Sequence, residues 1–125
     1  IMDARNNQVY TALYKWEKNS QAKLTEYMGI QVLELIQLIK GRNRKAVFLG
    51  DGVEVHGDLL KRELKDQCDF APGNLMLQKA CSVAQLAYTR ASAGELESCF
   101  DLVPFYLRKS QAEREYEKKA LEHEV

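Results

Sequence analysis

Two short runs carry the residues best suited to chemistry. One is Asp3, followed by the turn-like Arg5-Asn6-Asn7-Gln8. The other is Gly50-Asp51-Gly52. Each sits where a strand gives way to a turn, which is where open α/β sheets bind ligands. Glycines let backbone approach a phosphate, and an aspartate can orient a metal-bound water. The chemistry implied is a phosphate and adenosine cleft. The competing reading is a hairpin start and an ordinary β-to-α turn, since a single Gly-x-Gly is a weak signal. A second constellation adds Glu34 to Asp3 and Asp51. In that order the three carboxylates match, loosely, the acidic set of a ribonuclease-H-like nuclease, which would need them to converge on a pair of metal ions. Glu34, however, reads as the solvent stripe of its helix.

The remaining reactive groups are sparse. Cys68, Cys81 and Cys99 are odd in number and widely spaced, which fits neither a disulfide scaffold nor a zinc site and suggests a reducing compartment. Cys81 falls on an apolar helical stripe and is expected in the core as an inert thiol. His56 and His123 leave little for a histidine-based metal centre. The run from Arg108 to Lys119 mixes charges of both signs. It reads as a solvated helix with i,i+4 pairs, or as a docking surface.

Elements must position these groups. Residues 8–16 alternate with period two, Val9, Thr11 and Leu13 on one face and Tyr10, Ala12, Tyr14 and Trp16 on the other, which predicts a strand. With the Asn turn before it, residues 1–16 read as a β-hairpin. Residues 17–23 read as a second turn and 24–28 as a third strand. Residues 30–40 are apolar almost all round, predicting a helix buried on more than one side and ended by Gly41. Residues 46–49 predict a central strand of parallel type. Residues 57–66 predict a short helix with Leu59, Leu60 and Leu64 inward. Residues 70–74 read as a loop. Residues 76–92 predict a helix with small residues suited to packing on a sheet, capped by Gly94. Residues 102–107 are extended, since Pro104 removes a ladder donor. Ser110 and Glu113 then form a capping box for a last helix. The whole predicts an α/β chain, a mixed sheet with helices packed on it.

Composition bounds the function. The 125 residues make one domain's worth of chain, 46% hydrophobic and 29% charged. Lys+Arg and Asp+Glu are both 18, so the formal charge is zero, which argues against a free-standing nucleic-acid binder. No apolar run approaches the roughly 20 residues of a membrane helix. The opening Ile1-Met2-Asp3-Ala4-Arg5 has neither the charged nor the apolar region of a signal peptide. It begins in strand-like sequence, as a chain cut inside a larger protein would.

Three motifs then fall in order along the chain. Pro104-Phe105-Tyr106-Leu107-Arg108-Lys109-Ser110-Gln111-Ala112-Glu113-Arg114 closely resembles the carboxyl-terminal signature of the bacterial TsaB (YeaZ) family. Met2-Asp3-Ala4-Arg5-Asn6-Asn7-Gln8-Val9-Tyr10 resembles that family's hairpin, and Phe48-Leu49-Gly50-Asp51-Gly52-Val53 its Gly-Asp-Gly turn. The resemblance implies an actin/Hsp70-like nucleotidase fold. It implies that residues 1–125 are a single ribonuclease-H-like subdomain, the second half of a two-subdomain protein whose first half is absent. By the same resemblance the function is that of a non-catalytic accessory subunit in making N6-threonylcarbamoyladenosine at tRNA position 37. Its partners would be a TsaD-type catalytic subunit and a TsaE-type ATPase, in the cytoplasm. Against the catalytic relative's pattern, Arg5-Asn6-Asn7-Gln8 replaces small residues, and Gly50-Asp51-Gly52 stands where a double glycine serves adenosine. Asp51 would repel phosphates. Asp3, Gly50, Asp51 and Gly52 are thus expected to be degenerate nucleotide turns, with no catalytic residue, no bound cofactor, no metal and no direct nucleic-acid contact. Two alternatives stay open: an active nucleotide-binding half, and a generic α/β interaction domain. Apolar surface near Val9, Leu13, Tyr14 or residues 30–39 is expected to make the fragment self-associate as a dimer.

Overall fold

In a computed structural model, residues 1–18, 20–107 and 116 are described. They form a mixed α/β arrangement compatible with an actin-like or ribonuclease-H-like subdomain.

The first hairpin joins β1 (Met2–Asp3) to β2 (Gln8–Thr11), antiparallel, with Asp3 opposite Val9. Its turn bends through three consecutive left-handed residues, Arg5, Asn6 and Asn7, at φ 62, 51 and 57°. Asparagine tolerates that conformation; Arg5 is held in it by the bonds of the turn, Ala4 N–H to Gln8 C=O and Gln8 N–H to Arg5 C=O, both 2.9 Å. β2 buries Val9 and Thr11 and partly buries Leu13 beyond it, the face that the alternation predicts.

The strand stops at Thr11, however, and does not run to Trp16. Residues 14–23, expected to include a turn, form a separate two-stranded ribbon, β3 (Tyr14–Glu17) and β4 (Ser20–Lys23), with Tyr14 opposite Lys23. Every described residue of β3 is exposed, so no hydrophobic alternation marks the ribbon in the sequence. The third strand of the main sheet is β5 (Met28–Gln31), later than expected, paired with β2 in the order β1-β2-β5.

Ile30 therefore belongs to a strand, and α1 is Val32–Arg42. Its start is tied to the first turn by Val32 N–H donating to Asn7 C=O at 2.9 Å. Val32, Leu35, Ile36 and Ile39 form one buried stripe at i, i+3, i+4 and i+7. Leu33 is 60% exposed, so the helix is buried on one side and not several. Gly41 lies inside it; the left-handed cap is Asn43, at φ 48°.

β6 (Ala46–Phe48) pairs with β7 (Cys68–Phe70) in parallel, the expected type, but with a strand that the sequence does not predict, its last residue, Phe70, reading as loop. β6 is not a central strand: among the described residues it has one neighbour, and Val47 is 60% exposed. The crossover is α2 (Gly52–Leu64), which begins five residues earlier than predicted and buries Gly52, His56, Leu60 and Leu64, every fourth residue. A turn of 3-10 helix, Lys65–Gln67, leads into β7. The core lies where α1, α2, β2 and the β6–β7 pair meet, centred on Leu35, Ile36 and Leu60.

α3 (Ala80–Ser92) starts four residues later than predicted; its C-cap is Ala93, and Gly94 follows at φ 80°, with Gly94 N–H on Ala91 C=O and Glu95 N–H on Arg90 C=O, both 3.0 Å. It does not pack on a sheet: none of its residues is buried, and Cys81, expected in the core, is exposed. Residues 102–107 are irregular and not a strand, though Phe105 meets Tyr27 edge to face at 5.9 Å. The capping box at Ser110 and the helix after it lie outside the described residues, as does the end of the Pro104 signature. The exposed apolar surface is only partly where it was expected. Val9 is wholly buried, but Tyr14 is 42% and Leu33 60% exposed, and further bare side chains are Val47 on β6, Leu49 just after it, and Val83 and Leu86 on α3. No helix among the described residues is long and apolar enough to cross a membrane.

The buried thiol is Cys68, and burial pushes its pKa up, the nearby Lys61 ammonium opposing the shift and Asp69 adding to it. A raised pKa means less thiolate at a given pH. At pH 8, Cys81 and Cys99 are expected to react with a disulfide reagent within minutes, and Cys68 only on unfolding. The stability gained by keeping this thiol neutral is intact below about 8.5, its unfolded value, and is lost as pH rises through the folded one. Three rapidly reacting thiols in native protein would contradict the burial.

Candidate functional site

The structure brings the two predicted turns together. β1 ends beside the end of β6, and the chain start is held there by the Ile1 nitrogen donating to Leu49 C=O. Asp3 N–H donates to Asp51 Oδ1 at 3.3 Å, and Gly52 N–H to Ile1 C=O at 3.3 Å. Asp3, Gly50, Asp51 and Gly52 thus form one junction. Gly50 is at φ +105°, and a Cβ there would lie 2.0 Å from the Ile1 carbonyl oxygen, so only glycine permits the approach. At Gly52 a Cβ would stand 3.2 Å from Asp3 N.

What the junction can do depends on which donors it leaves free. Gly50 N–H donates to Met76 C=O at 2.7 Å. Gly52 N–H is taken by Ile1. Val53 N–H and Glu54 N–H donate back to Gly50 and Asp51 C=O, both at 3.1 Å. The leading amides of α2, which would cradle a phosphate in a nucleotide site, are therefore occupied within the chain. The Asp51 carboxylate is likewise engaged by Asp3 N–H and closes the turn. On this geometry the junction ties the chain start to the end of β6 and the start of α2.

Asp3 is the best-connected group of the joint. Its Oδ1 accepts Arg5 N–H at 3.0 Å, and its Oδ2 lies 3.4 Å from the exposed Arg5 guanidinium. On its other side stands His56, 5% exposed, with Nε2 at 3.7 Å from Asp3 Oδ1. That distance is too long for a hydrogen bond, and Nε2 has no other partner among the described residues. The sequence reading gave His56 no role. Its spacing from Leu60 and Leu64 was the available signal, once α2 is known to begin at Gly52.

Glu34 does not join the acidic pair. It is exposed in the first turn of α1, and among the described residues no group of three His, Cys, Asp or Glu side chains is placed to hold a metal ion. The nuclease-like set of Asp3, Glu34 and Asp51 is thereby set aside.

No family model matches the chain. Among curated proteins it is similar to one from Bacillus subtilis (strain 168), described as a tRNA threonylcarbamoyladenosine biosynthesis protein. The likeness extends over 116 residues at 24% identity, covering 93% of this chain and 49% of that protein, so the chain spans about half the length of the relative it matches. That relative is TsaB.

Proposed function

We propose that the chain is the carboxyl-terminal, ribonuclease-H-like half of a TsaB-type subunit, acting in the cytoplasm as a non-catalytic scaffold for tRNA threonylcarbamoyladenosine formation. In this reading a TsaD-type subunit carries the chemistry, and a TsaE-type ATPase joins the assembly. One observation supports the non-catalytic role above the others: in the Gly50-Asp51-Gly52 turn the Gly50 and Gly52 N–H groups and the Asp51 carboxylate are engaged by the chain itself. A turn used in this way holds two strand ends together and offers fewer donors to nucleotide phosphates.

The test is reconstitution of threonylcarbamoyladenosine formation with the longer protein that contains this chain. Omitting that protein is expected to abolish modification. Asp51→Ala is expected to lower the rate by no more than a few-fold, because it removes one exposed 3.3 Å bond and no reacting group. A loss of about a hundredfold, near 2.7 kcal/mol of transition-state stabilisation, would overturn the non-catalytic reading.

A further inference from the structure

His56 is the buried polar side chain that the joint leaves unpartnered. It stands on the inner stripe of α2, one turn after Gly52 and one turn before Leu60. Its Nε2 is enclosed and makes no hydrogen bond among the described residues. A polar atom enclosed without a partner lowers stability. The carboxylate facing it is Asp3 of β1, 14% exposed, with Oδ1 at 3.7 Å. Oδ1 already accepts Arg5 N–H and keeps a second lone pair. Oδ2 meets the Arg5 guanidinium at 3.4 Å, an exposed pair that neutralises the carboxylate only weakly. Among the described residues no second carboxylate pairs with the ring. On α1 the buried stripe is uncharged, and Lys40 pairs with Glu63 at 3.5 Å, two turns further along α2. On β7, Asp69 pairs with Lys45 at 2.7 Å, and Cys68 is a thiol whose C=O accepts from Lys61 at 2.9 Å. Lys65 and Asp66 of the 3-10 turn, and Glu54 and Asp58 of α2, are exposed. At the start of α2, Asp51 takes Asp3 N–H and interacts with the Ile1 nitrogen.

We propose that His56 is a proton-operated clamp between α2 and β1. The neutral ring leaves the 3.7 Å gap to Asp3. A proton taken from solvent makes both ring nitrogens donors. Nε2–H then donates to the spare lone pair of Asp3 Oδ1, a charge-assisted bond whose usual length is about 2.7–2.9 Å. α2 and β1 close by about 1 Å to make it. Asp3 also holds Arg5 N–H of the first turn and, through its own N–H, Asp51, so the bond tightens three elements at one carboxylate. Because only the protonated ring makes this bond, the folded chain holds that proton more tightly than the unfolded chain does. The clamp therefore adds stability in acid, and the gain is lost as pH rises through the range in which histidines titrate.

A double-mutant cycle in urea tests the clamp, with the wild-type chain, His56→Gln, Asp3→Asn and the double variant each measured at about pH 8 and about pH 5. Glutamine cannot take the charge. Relative to His56→Gln, the folded-to-unfolded ratio of the wild-type chain is expected to rise about fivefold or more on going to the lower pH. With Asp3→Asn present in both members of the comparison, no such rise is expected. A ratio that stays level or falls in acid would mean that enclosing the charge outweighs the bond, and would overturn the proposal. An equal rise in the absence of the Asp3 carboxylate would overturn it too. A second measurement needs neither variant. His123→Gln leaves His56 as the single histidine, so its imidazole nitrogens can be read directly by NMR. At about pH 5 both are expected to carry protons, with Nε2–H retained against exchange with water. A neutral ring, or an Nε2–H lost at once to water, would count decisively against the clamp.

Discussion

Leu60→Ala is expected to cost about 2–5 kcal/mol, the range for emptying a fully buried leucine site. Leu60 is 0% exposed and belongs to the same buried cluster as Leu35 and Ile36 of α1, Leu64 of α2, Phe48 of β6 and Cys68 of β7. Removing its side chain leaves a void between elements that have no second layer behind them. Native domains are stable by only about 5–15 kcal/mol, so the variant would lose much of its margin. Leu33→Ala is the control: on the exposed side of α1, it is expected to change stability by less than about 0.5 kcal/mol. Urea titration of both variants checks the pair, and equal losses would mean that the core has been assigned to the wrong side of α1.

Gly50→Ala is expected to cost about 2–4 kcal/mol, the sum of a strained backbone and a blocked approach. The φ of +105° is one that residues with a side chain rarely adopt, and the added methyl would meet the Ile1 carbonyl oxygen, which is main chain and cannot rotate away. The joint between β1 and α2 would open, and with it the Asp3–Asp51 bond. Gly41→Ala runs the other way. Nothing lies within 4 Å of a Cβ there, and the residue sits inside α1. It is expected to stabilise by about 0.5–1 kcal/mol, because alanine is the better helix former. Thermal unfolding of the two single variants would show midpoints displaced in opposite directions.

The parts of this fold that were legible in the sequence are those where one face is buried. Val9 and Thr11 announce β2 because they alternate against a core, and the asparagines announce the first turn because few other residues accept φ > 0. The meeting of Asp3 with Asp51 was legible as well, since both stand at strand-to-turn junctions of an α/β chain. The β3–β4 ribbon was not legible, because it packs on no core and its residues 17–23 are mostly polar. The start of α1 was missed because Ile30 and Val32 continue one apolar run across a strand-to-helix boundary, where periodicity does not discriminate. α2 was placed too late because Gly52 and Gly57 look like turn residues, and because its first amides are satisfied by backbone rather than by a capping side chain. That delay also hid His56. The stripe of α3 was read correctly as helical, but a stripe does not say what covers it, and Cys81 was assigned to a core that this helix does not reach.

Every buried residue among those described lies between Ala4 and Cys68. The heat capacity of unfolding measures the surface hidden by the native state, at about 12–15 cal/mol/K per residue in an ordinary domain. Among the described residues, the unit that melts cooperatively is therefore the stretch of about 70 that ends near Cys68. Its heat-capacity change should be about 0.9 kcal/mol/K, where the full length would give about 1.7. The urea slope should be correspondingly shallow, so the apparent stability of this chain is governed by little more than its first half.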